Sequence, residues 1–219
     1  MRILKNLKFE RRDLLAGIIF ILYIHSLFFR DKFPGYYTVP LSIAGLALIA
    51  LPYVVERFFR IRIPTPLFAL YVLFVLGGIY IGDFLGFYVY VEHWDKFLHL
   101  ASGVIITLFG FAVFKLLKND KVVRRAEAGL YAFAALCVGL ASAAVWEIFE
   151  FLLDFSIGSN SQRHSTPAGE PLCGQAALMD TMLDIIGAAI GSLVMALVGY
   201  VAIKRGKNWL SSFWITSTK

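Results

Sequence analysis

The chain is poor in charge and in cysteine, and both shortages narrow what it can be. Only 16% of its 219 residues are Asp, Glu, Lys or Arg, whereas 59% are hydrophobic. Soluble domains carry roughly 25% charged residues, so the shortage argues against a soluble protein. Of the two cysteines, Cys137 lies in an apolar run and Cys173 in a polar loop, and we expect both to be free thiols. The fold class that these features favour is an all-α polytopic membrane protein.

Sequence motifs of several enzyme classes are also missing. The chain has no phosphate-cradling glycine loop, no serine nucleophile elbow and no Cys/His zinc spacing. Its net charge of +6 suits nucleic acid, but the basic residues punctuate the apolar runs and form no stripe with base-stacking aromatic residues. We therefore expect membrane lipids as partners and no nucleic acid.

Six apolar segments approach the roughly 20 residues that span a hydrocarbon core. They are Leu14–Phe29, Val39–Val55, Pro66–Ile81, Trp94–Leu117, Ala128–Leu153 and Ala177–Ile203. The basic start followed by an apolar run resembles a signal peptide, but no small-x-small cleavage site follows, so we interpret this run as a retained membrane helix. The sequence predicts one domain, residues 1–219, folded as a six-transmembrane-helix bundle.

Basic residues are concentrated in alternate loops. All but four of the 21 Lys and Arg residues fall in the N-terminal segment, the second and fourth connections and the C-terminal tail. The positive-inside rule then places both termini in the cytoplasm and predicts a multi-pass protein of a prokaryotic plasma (inner) membrane. The opposite, extracytoplasmic side has a long loop, Phe155–Ala176, rich in Gly, Ser and Pro. This loop either caps a site or only connects two helices.

Six ionisable residues stand at the ends of the last three apolar segments, where lipid makes charge costly. Each pair is spaced by three or four residues and so projects from one helix face: Asp95 and His99, Glu147 and Glu150, Asp180 and Asp184. The topology places all six near the outer face, with His99, Glu147 and Asp184 one turn, ~6 Å, deeper than the others. The face of Asp180 and Asp184 continues into Gly187 and Gly191, and small residues let helices approach closely in lipid.

Five carboxylates and one histidine in one layer favour a bound cation, because packed carboxylates repel one another unless a cation balances them. The donor set suits a divalent metal ion, Mg²⁺, Mn²⁺, Zn²⁺ or Ca²⁺, and we expect all six residues as ligands. Such an ion could activate water or polarise a phosphoryl or acyl oxygen, with Glu147 or Asp184 as the catalytic base. The first prediction is a metal-dependent hydrolase or transferase acting on a lipid or lipid-linked cell-envelope intermediate.

Other interpretations stay open. The six residues could carry ions or protons in a transporter, or only hold helices together in a lipid-binding or assembly protein. Asp95 and Asp180 could cap their helices, and Asp95 could form a surface ion pair with Lys96. Arg163 and His164 in the outer loop could contact an anionic head group or be solvated.

Three motifs resemble a known family. The segments WDKFLHLASG, AVWEIFEF and MDTMLDIIGAAIGS are similar to YjdF-type bacterial inner-membrane proteins, which have D-x-x-x-H, W-E-x-x-E and D-T-x-x-D in the same order. The resemblance covers Trp94 to Ser192 and implies that residues 94–192 are the functional core. It also implies that the six ionisable residues are this family's polar signature. The segment DKFLH also resembles VanZ-like membrane proteins, although Asp184 stands where their later motif has Asn. Neither resemblance supplies a reaction.

Overall fold

The structure, a computed structural model, describes residues 11–28, 38–119, 121–166 and 168–218. These residues form two compact units. The first unit runs as far as Glu92 and takes in the end of the chain from Ile215, and the second is His93–Trp214. The predicted functional core, residues 94–192, lies within the second unit. The prediction of one domain over residues 1–219 stays a prediction.

The first unit is helical, with one small sheet. Helix α3 (Thr65–Val75) continues without a break into a π-helix, Leu76–Phe84, which has two successive glycines in its first turn. Strands β1 (Ile61–Arg62) and β2 (Thr216–Ser217) pair antiparallel, with Ile61 opposite Ser217 and Arg62 opposite Thr216. The elements are α1 (Arg11–Phe28), α2 (Thr38–Phe59), β1 (Ile61–Arg62), α3 (Thr65–Val75), α4 (Phe87–Tyr90) and β2 (Thr216–Ser217).

A buried ion pair joins α1 to α2 in this unit. The Arg12 guanidinium donates two hydrogen bonds to the Glu56 carboxylate, at 2.7 and 2.8 Å, and a third to the Ile63 carbonyl oxygen at 3.0 Å. The Ile63 amide in turn donates to Glu56 at 2.7 Å. The guanidinium also lies over the rings of Tyr53 and Phe68. Charge in an apolar setting is stable only when paired in this way, so Arg12 and Glu56 depend on each other for their burial in this unit.

Three long helices make up the second unit. They are α5 (Trp94–Lys118), α6 (Ala128–Ile157) and α7 (Gln175–Lys204). Short 3₁₀ turns, Arg125–Glu127 and Trp209–Phe213, precede α6 and follow α7. The three helices pack on one another, and large side chains such as Phe133, Val145 and Ile190 are exposed on their outer faces. An apolar exterior is the expected arrangement for helices that contact lipid.

Glycine brings α5 and α7 into backbone contact. A Cβ added at Gly103 would overlap the Ala188 carbonyl oxygen, and one added at Gly191 would overlap the Leu100 carbonyl oxygen. Gly187, one turn nearer the helix start, lies against the Lys96 and Leu100 backbone more loosely. The prediction that the Gly187 and Gly191 face of α7 is a packing face is confirmed, and α5 is its partner.

Within the described residues, five helical segments are long and apolar enough to cross a membrane: Val39–Phe59, Thr65–Phe84, Trp94–Lys118, Arg125–Ile157 and Gln175–Lys204. The predicted segments from the second to the sixth each match one of them. The first falls in α1, whose 18 residues begin with Arg11, Arg12 and Asp13 and which is not among the five. An all-α membrane protein is therefore supported, whereas the count of six spans and the cytoplasmic termini stay predictions.

The contact between α5 and α7 leads to a stability prediction. Gly191→Ala places a methyl group on the Leu100 backbone, and we expect a loss of about 1–3 kcal/mol in the free energy of unfolding. Gly129→Ala in α6 is the matched control, because a Cβ there meets nothing within 4 Å. Thermal unfolding in detergent micelles should show a lower Tm for Gly191→Ala alone. Equal Tm values for the two variants would contradict the close contact.

Candidate functional site

The site lies where the N-terminal ends of α5 and α7 meet the C-terminal half of α6. Each of these helices contributes a pair of ionisable residues from one face, as their spacing predicts. His99, Glu147 and Asp184 form the deeper layer, and all three are buried. Asp95 and Asp180 lie one turn nearer the helix starts, with Asp180 buried and Asp95 partly so. Since no bulky residue separates α5 from α7, their carboxylates come within reach of one another.

Lys96 lies at the centre of the carboxylates. Its Nζ is 2.8 Å from both carboxylate oxygens of Asp184, 2.5 Å from Asp180 Oδ1 and 3.3 Å from Asp95 Oδ2. The surface ion pair with Asp95 that the sequence left open is thus a minor part of a cluster. A lysine at the start of a membrane segment was the available signal, since an ammonium in lipid needs acidic partners. Which partners it finds depends on the packing of α5 on α7.

The two ring nitrogens of His99 face different carboxylates. Nε2 is 3.7 Å from Asp95 Oδ1 and 3.7 Å from Asp184 Oδ1. Nδ1 is 3.9 Å from Glu147 Oε1. These separations are too long for hydrogen bonds. One atom each from Asp95, His99 and Asp184 can be chosen so that all three lie within 4.8 Å of one another, a spacing that could hold a metal ion.

The Glu147 carboxylate is buried near the polar side chains of Gln162 and Thr181, and it forms no hydrogen bond of normal geometry. It is 5% exposed, and neither of its side-chain oxygens has a hydrogen-bond partner among the described residues. Asp180 is 9% exposed, and its Oδ2 likewise has no hydrogen-bond partner among the described residues. Burying an unpaired carboxylate costs free energy that a cation or a proton would recover. The site therefore has more carboxylate than its own side chains balance.

A second cationic side chain near the carboxylates, besides Lys96, is Arg163 in the loop between α6 and α7. The Arg163 guanidinium lies 3.5 Å from Asp95 Oδ2 and 3.7 Å from Asp180 Oδ1, and its side chain is 44% exposed. Next to it, the Gln162 side-chain amide donates to Thr181 Oγ1 at 2.9 Å and to the Glu147 carbonyl oxygen at 3.4 Å. The loop therefore contacts α5, α6 and α7, as expected of a cap rather than of a passive connector.

Asp154 at the end of α6 organises this loop. Its carboxylate accepts hydrogen bonds from Ser159 Oγ and from the backbone amides of Ser161 and Gln162, at 2.6, 2.7 and 3.0 Å. His164 Nδ1 lies 3.2 Å from the same carboxylate. Arg163 then adopts φ +47°, a left-handed conformation that L-residues rarely take. The predicted irregular loop Phe155–Ala176 is thus shorter than expected, because α6 continues to Ile157, and it contains the bridge between Ser165 and Pro171.

Glu150 is half-buried near the other predicted residues, but its hydrogen bond is made within its own helix. Its Oε1 accepts a hydrogen bond from the indole Nε1 of Trp146, 2.8 Å away on the next turn of α6. Trp146 is half exposed. The structure thus brings together Asp95, His99, Glu147, Asp180 and Asp184, adds Lys96 and Arg163 to them, and pairs Glu150 with an aromatic residue. Whether any of the six is a metal ligand stays a prediction.

Below the carboxylates the three helices close on one another. One turn from His99, the Gly103 backbone lies against Ala188 and Ser192 of α7. A turn further, Thr107 and Ser192, both fully buried, meet at Gly139 of α6, where even a Cβ has no room. Ser192 Oγ donates to the Gly103 carbonyl oxygen at 3.3 Å. The site is therefore a shallow layer at one end of the helices, with a tightly packed floor.

Removing the Asp154 carboxylate tests how the loop is held. In Asp154→Ala the backbone amides of Ser161 and Gln162 lose their acceptor, and we expect their hydrogen exchange to speed up by about five- to tenfold, since each bond is worth about 1 kcal/mol. Exchange measured by mass spectrometry on the loop peptide reports this change. Glu170→Ala, an exposed carboxylate in the same loop, should leave the peptide unaffected. Unchanged protection in Asp154→Ala would show that other contacts hold the loop.

Comparison with known proteins agrees with the membrane fold. Residues 13–205 match the family model described as "Predicted membrane protein (DUF2238)". An "Uncharacterized protein" of Thermotoga maritima is 30% identical over 149 residues, which are 68% of this chain and 69% of the relative. No solved structure matches. The match is consistent with the YjdF-type resemblance, and nothing in it shows the VanZ likeness. Because the family model spans nearly all of the helical chain, this protein belongs to the DUF2238 family of membrane proteins.

Proposed function

We propose that this protein is a membrane-embedded, metal-dependent hydrolase or transferase, and that Asp95, His99 and Asp184 bind its divalent metal ion. The observation that carries the proposal is the spacing of the three donor atoms, within 4.8 Å of one another, beside the buried carboxylate of Glu147. The site has two cationic side chains, those of Lys96 and Arg163, against five carboxylates. The carboxylates are those of Asp95, Glu147, Glu150, Asp180 and Asp184. A divalent cation would offset much of that excess negative charge.

The position of Glu147 supports a particular set of ligands. Histidines that bind metal ions usually direct the second ring nitrogen at a carboxylate, which fixes the ring orientation and makes the histidine a better ligand. His99 has this arrangement, because Nε2 faces Asp95 and Asp184 whereas Nδ1 faces Glu147. We therefore assign Nε2 to the metal ion and Glu147 to the support of His99. Asp180 and Glu150, expected from the sequence as further ligands, belong to the surroundings of the ion in this proposal.

Three protein ligands favour a catalytic ion over a structural one. Structural metal sites are usually closed by four protein ligands, whereas catalytic sites keep a position open for water or substrate. Two carboxylates with one histidine suit Mn²⁺ and Zn²⁺, and also accept Mg²⁺ or Ca²⁺. A divalent ion here would supply Lewis acidity toward a phosphoryl or acyl oxygen. In this proposal Glu147, besides facing His99, also serves as the base that accepts a proton during the reaction.

The place of the site in the fold favours a lipid or lipid-linked substrate. The carboxylates lie at one end of membrane-spanning helices, so a substrate would reach them at the boundary between lipid and water. Trp146, half exposed beside Glu150, is the kind of residue that membrane interfaces favour. By the positive-inside rule this boundary is the extracytoplasmic one, which suits a cell-envelope intermediate.

Ion or proton transport is the second candidate, and the packing counts against it. A transporter needs a path from the site toward the opposite face of the membrane. Here the contacts of Gly103 with Ala188 and of Gly139 with Thr107 and Ser192 leave no room beneath the carboxylates. The route is closed in this arrangement of α5, α6 and α7, so chemistry at one face accounts better for the geometry.

Metal analysis tests the proposal directly. The purified protein, incubated with Mn²⁺ or Zn²⁺ and then desalted, should retain about one divalent ion per chain. His99→Ala and Asp184→Asn should lose the ion, because each removes one of three ligands. Glu150→Gln should keep it, since Glu150 pairs with Trp146, and Glu170→Ala serves as a control for a carboxylate outside the site. Elemental analysis by mass spectrometry measures all five proteins.

Two results would count against the metal site. Wild-type protein without retained metal under all these conditions would remove its basis. Metal retained equally by His99→Ala and Asp184→Asn would place any bound ion elsewhere. A lower Tm in these variants, with no metal in the wild type, would instead support a polar cluster that only holds the helices together.

The native cysteines test the proposed orientation. Cys173 is exposed in the loop next to the site, whereas Cys137 lies within the membrane-spanning part of α6. A membrane-impermeant maleimide should therefore label Cys173 in intact spheroplasts if the site faces outward, and Cys173→Ser should abolish that labelling. Labelling only after the membrane is broken would place the site on the cytoplasmic face. Mass-tagged protein on a gel provides the measurement.

A further inference from the structure

We infer that Lys96 is an internal competitor for the metal ion, and that its ammonium sets both the affinity and the charge selectivity of the cation site. This inference rests on the proposed divalent-cation site. It adds that an ion can enter only by displacing a charged group of the protein's own.

The ammonium of Lys96 occupies the oxygens that the metal ion needs. Both carboxylate oxygens of Asp184 lie 2.8 Å from Nζ, and Asp95 Oδ2 lies 3.3 Å away. Asp184 Oδ1 is also the atom that faces His99 Nε2, at 3.7 Å. Two of the three proposed ligands are therefore already engaged with a cation, and one oxygen atom is shared between the two arrangements.

The ion and the ammonium cannot both bind Asp184 favourably. With a ligand bond of about 2.1 Å to Asp184 Oδ1, a metal ion would lie at most about 5 Å from Nζ in its present position. Charges of +2 and +1 at that separation repel strongly in a partly buried site. The ammonium must therefore leave Asp184 when the ion enters.

Lys96 is able to move in this way. Its side chain is 23% exposed, and a flexible four-carbon stem connects the ammonium to α5. Asp95 and Asp180 lie nearer the helix starts than Asp184 does, so the ammonium can keep these partners while it moves outward. No cationic side chain has to leave Glu147 when the ion enters, because its oxygens have no hydrogen bond to any cation among the described residues. Glu147 remains the uncompensated carboxylate that attracts the incoming ion.

Selectivity follows from the exchange of charges. A monovalent ion that displaced Lys96 would replace one positive charge by another and would gain little. A divalent ion adds a net positive charge to a site with excess carboxylate, and so it repays the loss of the ammonium contacts. Lys96 thus makes the site discriminate against Na⁺ and K⁺, which are far more abundant than divalent ions around a cell.

Neutral substitutions at Lys96 test the inference. Lys96→Met removes the ammonium, and Lys96→Gln removes its charge while keeping a hydrogen-bond donor for Asp184. We expect both to bind Mn²⁺ more tightly than the wild type, with a Kd lower by about tenfold or more. We also expect added Na⁺ to weaken Mn²⁺ binding more in both variants than in the wild type. Calorimetric titration of the full chain in detergent, with Mn²⁺ alone as the ligand, measures the constants.

Lys118→Met is the matched control. Lys118 lies at the opposite end of the same helix and also forms an ion pair, with Glu127. Its loss should leave the Mn²⁺ affinity unchanged. Thermal unfolding adds a second readout, because Lys96→Met without metal should have a lower Tm that Mn²⁺ restores, whereas the loss of a purely structural ion pair would not be repaired by the ion.

The outcomes separate this inference from the proposed function. If the wild type binds Mn²⁺ and the Lys96 variants bind it equally or more weakly, Lys96 supports the site, and the competitor role is wrong while the metal site stands. If neither the wild type nor either variant binds Mn²⁺ or Zn²⁺, both proposals fail. Binding that is detectable only in the Lys96 variants would show that the ammonium keeps the ion out of the wild-type protein, which supports the competition but overturns the metal-dependent function.

Discussion

Backbone contact between α5 and α7 sets the distance between the carboxylates on the two helices. At Gly103 and Gly191 the facing carbonyl oxygens occupy the space where a Cβ would be. Because the helices approach this closely one or two turns beyond the charged residues, Lys96 on α5 reaches Asp184 on α7 with hydrogen-bonding distances. Larger residues at the two glycines would move the helices apart, and both the ion cluster and the proposed ligand set would be lost together.

Charge is placed differently in the two units. In the first, Arg12 and Glu56 satisfy one another in a two-pronged pair, with the Ile63 backbone completing the hydrogen bonds. At the candidate site of the second unit, five carboxylates outnumber the two cationic side chains of Lys96 and Arg163, and Glu147 has no hydrogen bond within the described chain. A buried pair with matched charges needs no further ion, whereas an excess of one sign in a buried layer calls for a ligand or a proton. This contrast separates the candidate site from an ordinary membrane ion pair.

Several features could be predicted from the sequence because they depend on local periodicity. The long apolar runs required membrane helices, and the bounds of α5, α6 and α7 agree with the predicted segments to within four residues. A spacing of three or four residues put each acidic pair on one face of its helix. The face of α7 with Gly187 and Gly191 was correctly interpreted as a packing face. Arg12, by contrast, was used only to orient the chain, because a pairing with Glu56 across 44 residues has no local signal.

The sequence by itself determined which residues are ionisable, which helices bear them and how deep along each helix they lie. Only the tertiary structure decided which atoms meet. Lys96 donates hydrogen bonds to Asp180 and Asp184, and the two nitrogens of His99 face different carboxylates. Arg163 lies near Asp95, and Glu150 pairs with Trp146. The physical reason is that helical periodicity fixes the direction of a side chain relative to its own helix. Its neighbours depend on interhelical distance and loop geometry, which glycine contacts and the Asp154 carboxylate set.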